Sequence, residues 1–473
     1  MKCAQRYSTV IIVASLFLAG QAFATNPIIM DQFGADPTAR VFEGKIYLYP
    51  SHDIPVPPDS GARQAWFCME DYHVFSSENL MDWTDHGVIC NQTNVPWLNR
   101  KGYDMWAPDC VFKGGTYYFY FPVGGRIGVA TSDKPYGPWK VLDQPVPGAS
   151  GIDPCVLQDD DGSAYLFTGG ISVAKLKDNM IALDVPPPPT NVVANTNTPP
   201  GRGGRGGFGG FGGRGSMQRI ANLPSPGLIE GSFAFKRNGT YYLTYPHAVT
   251  INGHEAERLE YSISTNAMGP YTWVGIITDQ NESGCWTEHH SIVQYKGEWY
   301  LFYHDKQLSP NFDKNRSVRI DYLHFNDDGT IQKVIPTLRG VGIADAKSKI
   351  QIDRYSDISK EGVSASFINT NSTFEGWKIS LTGKNTWVKF DRVDFGKGNL
   401  KSANVRSRSE TGGVVEIRAD KVDGSVLARV EIGKGADWQV VNAKVTGAPS
   451  GVHDLVVTHN EDNSVDMDWI RFE

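Results

Sequence analysis

The sequence predicts an all-β chain, built as a five-bladed β-propeller followed by a β-sandwich of the jelly-roll type. Three observations carry this prediction: the composition, a repeated turn-and-strand motif, and a different alternating pattern in the last part of the chain. The 473 residues include 50 glycines, 20 tyrosines, 22 phenylalanines and 12 tryptophans, which favours short strands and tight turns over long helices. The formal net charge of −7 provides no positive field, so we expect no nucleic-acid partner.

Residues 1–24 have the organisation of a cleavable secretory signal. Lys2 and Arg6 precede the apolar run Val10–Ala19, and the segment ends on Ala22-Phe23-Ala24. The run is much shorter than the roughly 20 residues that a membrane span needs. We therefore expect a secreted or periplasmic protein with no membrane anchor.

The cysteines that follow this segment have no zinc or haem spacing. They are Cys68, Cys90, Cys110, Cys155 and Cys285. An oxidising compartment permits a Cys68–Cys90 disulfide, and buried free thiols are an equal alternative.

The motif Gly-x-x-Tyr-(Leu/Phe) predicts a turn followed by a strand, because glycine supplies the backbone freedom that a tight turn needs. Its copies are Gly44–Tyr49, Gly115–Tyr120, Gly162–Phe167, Gly239–Thr244 and Gly297–Phe302. Their spacing of roughly 50 to 80 residues is typical of four-stranded blades. The predicted five-bladed propeller covers about residues 26–345.

The strand that leads into each of these turns opens with an ionisable side chain. These side chains are Asp36, Asp109, Asp153, Glu230 and the pair His289-His290. The first strand of each propeller blade lines the central channel, so the groups are expected to converge on the axis. Aspartate before proline is also common in turns, but crowded carboxylates cost stability unless function or a cation requires them. The recurrence therefore favours a functional site.

Two regions depart from the repeat. A proline-rich and then Gly/Arg-rich segment at about 186–216 lies between the third and fourth inner strands. We expect it to be a flexible loop insertion near the cavity mouth rather than an RNA-binding tract. Residues 350–473 contain alternating runs such as Val414–Ala419 and Val426–Ile432, which predict a separate β-sandwich.

Four motifs at the heads of the blades resemble glycoside hydrolase family 43. They are Ala35-Asp36-Pro37, Ile152-Asp153-Pro154, Glu230-Gly231-Ser232-Phe233 and His289-His290-Ser291. The resemblance implies that Asp36 is the general base, Glu230 the general acid, and Asp153 the carboxylate that tunes and orients the acid. It also implies that His290 helps to hold a calcium ion or a water cluster at the channel centre, and that Arg316 contacts the sugar in the innermost subsite. The chemistry itself would require no cofactor.

The last part of the chain resembles carbohydrate-binding module family 6. The resemblance rests on Ile350–Tyr355, Gly413–Ala419, Gly451–Asp454 and Val465–Phe472. Such modules stack a sugar between two aromatic side chains, for which Trp377 and Trp438 are the candidates, and often carry a structural calcium ion, for which Asp353 and Asp468 are the candidates. Asp353 stands where a glutamate is usual.

The residues also suit the chemistry of glycoside hydrolysis independently of the resemblance. That reaction needs one protonated carboxyl and one ionised carboxylate, about 6.5–9.5 Å apart if the anomeric configuration inverts. The pKa of Glu230 must therefore be raised, which burial and a neighbouring Asp153 would achieve. Phe33, Trp106 and Trp286 are candidates for stacking on a sugar ring, although aromatic residues in blades also serve packing.

We therefore expect a secreted, inverting and exo-acting glycoside hydrolase that releases xylose or arabinofuranose. Its partners would be the plant cell-wall polysaccharides xylan and arabinoxylan and their oligosaccharides. An endo-arabinanase or galactosidase of the same family remains an alternative. A non-catalytic carbohydrate-binding propeller is another, but it would be expected to lack one of the three carboxylates, and all three are present.

Overall fold

The computed structural model describes residues 26–58, 66–169, 171–184, 217–224, 227–251, 253–280, 283–309, 311–372 and 375–473. The predicted signal at 1–24 and the predicted insertion at 186–216 lie outside these ranges. Within them, regular structure is almost entirely strand, and no helix there is both long and apolar enough to cross a membrane. The five cysteines that follow the predicted signal are buried free thiols.

Five antiparallel sheets follow one another along the first part of the chain, each with its strands in sequence order. The first blade contains β1 (Ala35–Phe42), β2 (Lys45–Ser51), β3 (Asp71–Ser77) and β4 (Thr84–Asn91); the second contains β5 (Asp109–Lys113), β6 (Thr116–Val123), β7 (Arg126–Ser132) and β8 (Lys140–Val141). The third contains β9 (Cys155–Gln158), β10 (Ala164–Thr168), β11 (Ser172–Leu176) and β12 (Gln218–Arg219); the fourth contains β13 (Phe233–Arg237), β14 (Thr240–Ile251), β15 (His254–Ser264) and β16 (Thr272–Thr278). The fifth contains β17 (His290–Tyr295), β18 (Glu298–Asp305) and β19 (Ser317–Leu323).

The start of the described chain is bound to the fifth blade, which closes the ring. The Ile28 amide donates to the Val318 carbonyl at 2.9 Å. The Asn26 side chain bonds to both backbone groups of Ile320, at 2.9 and 2.8 Å. These bonds tie the beginning of the propeller to its last blade, as a closed ring requires.

The repeated glycines lie where the motif predicts, at the turn between the first and second strand of each blade. Gly44, Gly115, Gly162, Gly239 and Gly297 have φ angles of +77°, +83°, +84°, +80° and +91°. Other residues rarely adopt such angles. Aromatic residues of neighbouring blades pack together between the sheets, for example Tyr49 against Phe119, with ring centroids 5.8 Å apart. Full burial of one such side chain contributes roughly 1.5–3 kcal/mol.

Two packed sheets form the last part of the chain, as predicted. One sheet is built on β20 (Ala344–Asp345), β22 (Asp357–Ile358), β25 (Thr386–Asp394), β27 (Gly413–Ala419), β28 (Val426–Ile432) and β30 (Val452–His459). The other is built on β21 (Ile350–Gln351), β23 (Val363–Phe367), β24 (Trp377–Thr382), β26 (Ser402–Ser409), β29 (Gly435–Lys444) and β31 (Ser464–Phe472). A continuous apolar core lies between the two sheets, because alternate residues of each strand point inward.

Polar contacts join the sandwich to the fifth blade. Arg392 donates to the Tyr322 hydroxyl at 2.6 Å, and Arg339 donates to the Asp391 carbonyl at 3.2 Å. These contacts lie on the outer strand β19 and the segment that follows it, away from the channel residues at the head of the blade.

Candidate active site

Asp36 lies at a bulge where β1 begins, and its backbone is in the left-handed region with a φ of +48°. Its amide donates to Nδ1 of His304 at 2.9 Å, and Nε2 of His304 lies 2.9 Å from the Thr287 carbonyl. Because Nδ1 accepts this hydrogen bond, the ring proton is on Nε2, which donates to the Thr287 carbonyl. His304 is therefore neutral. Bulges re-aim side chains, and here the Asp36 carboxylate is buried among polar groups of the channel.

Arg316 is the main partner of the Asp36 carboxylate. Its Nη1 lies 2.9 Å from Oδ1 of Asp36, and the Ser51 hydroxyl donates to Oδ2 at 2.6 Å. On its other side Arg316 donates to Asp53 through Nε and Nη2, both at 3.0 Å. The Arg316 side chain is only 2% exposed, so two carboxylates share one guanidinium away from solvent.

Burial is the largest single influence on the pKa of Asp36 and raises it, but the Arg316 guanidinium, the nearby imidazoles and the Ser51 hydrogen bond together outweigh it, so the pKa lies below its usual value. At neutral pH, however, these imidazoles contribute no charge. Burial lowers the pKa of His289 to about 4 and that of His304 to about 3. Arg316 is therefore the positive charge that keeps Asp36 ionised.

Asp153 and Glu230 form the opposite electrostatic environment. Asp153 occupies the position in the third blade that Asp36 occupies in the first, with a φ of +54°, and its Oδ2 accepts the Gly231 amide at 3.2 Å. Gly231 follows Glu230 with a φ of +55°, and a Cβ there would lie 2.9 Å from Nδ1 of His289. Glycine thus allows the chain to place Glu230 beside these groups.

The pKa values of these two carboxyls are both raised. Burial, followed by the charge of Asp36, raises the pKa of Glu230 to about 7. Burial, followed by the charges of Glu230 and Asp36, raises the pKa of Asp153 well above its usual value. The pair therefore retains a proton near neutral pH, while Asp36 is ionised.

These groups line one pocket of about 410 Å³, counted with its open mouth. Its walls are formed by Asp36, Phe67, Met69, Trp106, Ile152, Asp153, Glu230, Thr287, Glu288, His289 and Arg316. The structure thus brings together all three predicted catalytic carboxylates, Arg316 and Trp106. Their assigned roles stay predictions.

Other residues predicted for the site lie elsewhere. Phe33 lines a separate recess with Pro50 and His52, and Trp286 is not among the residues that line the pocket. The expectation that every blade contributes an ionisable group to one cavity is wrong for the second blade. Asp109 forms a buried ion pair with Arg40 at 2.6 Å, because Arg40 reaches across from β1.

His290 is completely buried at the head of β17. Its Nε2 lies 2.6 Å from the Thr244 hydroxyl, which itself donates to the Phe233 carbonyl at 3.0 Å. The Thr244 hydroxyl must therefore accept a hydrogen bond from Nε2–H of His290. The other ring nitrogen, Nδ1, then has no proton and can only accept a hydrogen bond. No partner for this Nδ1 is found among the described residues.

Sequence reasoning missed Glu257, Asp53 and His304, because none of them lies on the first strand of a blade. Glu257, on β15, is fully buried and accepts the Glu288 amide at 2.7 Å. Burial, followed by the charge of Glu230, raises the pKa of Glu257 to about 8. Glu257 thus holds the segment that includes Thr287 and lies electrostatically close to Glu230. For Glu257, the only signal in the sequence was an acidic residue within the third strand of a blade.

In the sandwich, both predicted calcium ligands have arginine partners. Asp353 lies 3.0 Å from Nε of Arg354, and Asp468 pairs with Arg406. The candidate aromatic residues also have neighbours within the domain. The ring centroids of Trp377 and Phe367 are 4.0 Å apart. The guanidinium carbons of Arg406 and Arg408 each lie 4.9 Å from the centroid of the Trp438 ring. Calcium and sugar binding by this domain stay predictions.

An ionised carboxylate and a carboxyl that stays protonated, held in one pocket of a propeller, are the two groups that a glycosidase requires. The family model for glycosyl hydrolases family 43 matches residues 24–331, and that for carbohydrate binding module family 6 matches residues 356–473. The chain therefore belongs to glycosyl hydrolases family 43 and carries a module of family 6 at its C-terminal end.

Individual proteins support the same assignment. A xylosidase/arabinosidase 43A from Humicola insolens is 35% identical over 332 residues, covering 64% of this chain and 98% of its own. An arabinoxylan arabinofuranohydrolase from Bacillus subtilis is 29% identical over 477 residues, covering 91% of this chain and 88% of its own. The crystal structure of a β-xylosidase/α-arabinofuranosidase of the family from a compost microbial metagenome, in complex with xylotriose, is 31% identical with a TM-score of 0.53, covering 66% of this chain and 98% of its own.

Proposed function

We propose that this glycosidase degrades xylan-derived chains by an inverting, exo-acting mechanism that releases xylose or arabinofuranose. The observation that carries the proposal is the opposite tuning of two carboxyls in one pocket. The pKa of Asp36 lies below its usual value, whereas that of Glu230 is raised to about 7. Such a divergence separates a base from an acid.

Each step follows from the charge and contacts of these groups. Asp36, ionised beside Arg316, accepts a proton from the water that attacks the anomeric carbon. Glu230 donates its proton to the oxygen of the departing sugar as the glycosidic bond breaks. One proton is taken up and one is given, so the total charge of the pocket is conserved. Exchange with solvent then returns both groups to their starting states.

Arg316 and Asp153 set the conditions for this exchange. Arg316 is held from behind by Asp53, so its guanidinium keeps a defined position against Asp36. Because Asp153 accepts the Gly231 amide, it is held next to the residue that follows Glu230. Because the pKa of Asp153 is itself raised, the two carboxyls share a proton near neutral pH, and ionisation of either one would oppose ionisation of the other, which is the tuning role proposed for Asp153.

The pocket and the relatives both support a small terminal sugar as the substrate. The pocket is small, about 410 Å³ even when its open mouth is counted, which favours a single terminal sugar over a long chain. Trp106 in its wall provides an aromatic side chain for a pyranose or furanose ring, whereas the Phe67 ring already lies against the Arg316 guanidinium, 4.8 Å from the ring centroid. The names of the relatives include both xylosidase and arabinofuranohydrolase activities, so both sugars are candidates.

A calcium ion is proposed only as a structural component at His290. The buried Nδ1 acceptor of this neutral imidazole fits a proton of a water molecule. Calcium prefers oxygen ligands, so His290 would hold the ion through such a water. When bound, the ion would add positive charge to the channel; no step of the hydrolysis requires it.

We further propose that the chain is exported before it acts on plant cell-wall xylan, which the family 6 module would help to bind. The support is the signal-like pattern of residues 1–24, and mass spectrometry of protein from the periplasm or medium tests it. A mature chain that begins at Thr25 is expected, and an uncleaved chain retained in the cytoplasm would contradict export.

The decisive assay for substrate compares 4-nitrophenyl β-xyloside with 4-nitrophenyl α-L-arabinofuranoside, and arabinan and galactosides serve as alternatives. Hydrolysis of at least one pentoside is expected. Asp36→Asn should lower kcat by at least about a thousandfold while the fold is retained. Asp143→Asn, at an exposed position of the second blade, is the matched control and should behave as wild type. Activity on arabinan or galactosides alone would contradict the proposed substrate.

A further inference from the structure

A second group of metal-ligating side chains lies on the first blade, outside the residues that line the catalytic pocket. His52, Asp71 and His73 each offer one ligand atom, and the three atoms lie within 4.8 Å of one another. Asp71 and His73 are two residues apart on β3 and so share one face of the strand. His52 directly follows β2, whose last residue pairs with Tyr72, between the other two. The antiparallel register therefore brings the three side chains together.

Two imidazoles and one carboxylate form a donor set that suits zinc and other divalent transition metals. Calcium and magnesium prefer sites made of oxygen ligands. Ligand atoms around a tetrahedral zinc ion lie about 3.4 Å apart, since the bonds are about 2.1 Å long. A group already within 4.8 Å needs side-chain shifts of only about 1 Å to reach that geometry.

The surroundings of His73 strengthen this assignment. Both carboxylate oxygens of Asp85 lie 3.2 Å from its Nδ1, and Gln32 donates to Asp85 at 3.2 Å. A carboxylate behind a histidine ligand orients the ring and raises its basicity, as in many metal sites. The side chains of His52, Asp71 and His73 are 23%, 11% and 15% exposed, so an ion can enter from solvent and still be partly shielded.

We propose that His52, Asp71 and His73, with Asp85 behind His73, bind one divalent transition-metal ion, with water completing the coordination. The site is also linked to the catalytic pocket. His52 lies between Ser51, which donates to Asp36, and Asp53, which holds Arg316. An ion that holds His52 would stabilise the segment that positions the base, and we expect metal to raise the melting temperature.

Titration of the full chain with Co²⁺ and Zn²⁺, after removal of metal by a chelator, tests the proposal without reference to hydrolysis. We expect one cobalt ion per chain with a ligand-field spectrum of tetrahedral or five-coordinate type, displaced by zinc. His73→Ala should weaken binding by more than tenfold and remove this spectrum. Asp85→Asn should weaken binding by about tenfold or more, because it removes only the group that orients the ring.

His453→Ala is the matched control, because this partly exposed histidine also pairs with an aspartate, Asp420, but lies in the sandwich. It should bind cobalt as wild type does. Circular dichroism of each metal-free variant shows whether it is folded, and Asp85→Asn provides the test if His73→Ala is not. Failure of the wild type to bind cobalt, or wild-type binding by folded His73→Ala or Asp85→Asn, would overturn the proposal. None of these outcomes depends on the assignment of Asp36 or Glu230.

Discussion

Removal of the proton of Glu230 provides a quantitative test of the acid assignment. The pKa of this carboxyl is raised from 4.5 to about 7, which corresponds to about 3 kcal/mol in favour of the protonated form. An acid must be protonated to act, so kcat/KM should fall as pH rises through about 7, roughly tenfold per pH unit above that value. The base must be ionised, and the pKa of Asp36 lies below 3.8, so the acidic limb should lie below that pH. The structure therefore predicts a plateau between these two limbs.

Glu230→Gln removes the group and should remove the basic limb with it. On xylobiose, whose leaving group needs a proton, kcat/KM should fall by about a hundredfold or more at pH 6. On an activated aryl glycoside the loss should be much smaller, since that leaving group departs without full protonation. Both substrates should be measured from pH 4 to pH 9 in the wild type and the variant. Glu298→Gln, at an exposed position of the fifth blade, is the matched control. A wild-type limb near pH 4.5, or a limb near pH 7 that persists in Glu230→Gln, would refute the reasoning.

Four other variants, at three positions, test the neighbours of the acid and base. Asp153→Asn should shift the basic limb to lower pH, but only partly, because burial and Asp36 still raise the pKa of Glu230; an unmoved limb with full activity would exclude tuning. Arg316→Ala should lower thermal stability by about 3–5 kcal/mol and abolish most activity, because it leaves two buried carboxylates without a counter-charge; denaturant unfolding with no loss of stability would contradict this. Glu257→Gln should keep most activity at pH 6, since a neutral amide can still accept the Glu288 amide, whereas Glu257→Ala should lose about 1–3 kcal/mol of stability; equal stability of the two variants would exclude this anchoring role.

The propeller could be predicted from the sequence because each blade repeats one local requirement. A glycine with positive φ is needed at each inner turn, and an apolar, aromatic-rich strand must follow it. Gly44 and Gly297 meet this requirement in the first and last blades just as in the others. The closure of the ring could not be predicted in the same way. It depends on Asn26 and Ile320, which lie far apart in the sequence and match no motif.

The three carboxylates of the site could be predicted because they occupy equivalent positions at the heads of blades. The same rule failed for Asp109, whose side chain is neutralised by Arg40 from the first blade. The local sequence separates the two only by a proline, which follows Asp36 but precedes Asp109, and it does not show which arginine reaches each carboxylate. Glu257 and His304 could not be predicted from the sequence for a related reason. They act through contacts between blades, which strand periodicity does not encode.

The configuration of the first sugar released tests the central claim most directly. Hydrolysis of an unbranched β-xylo-oligosaccharide should be followed by proton NMR at early times, before the released xylose mutarotates. If Asp36 activates water while Glu230 protonates the leaving oxygen, the xylose must appear first as the α-anomer. Initial release of β-xylose would contradict the account, because it would require a covalent intermediate on one carboxylate instead of direct attack by water.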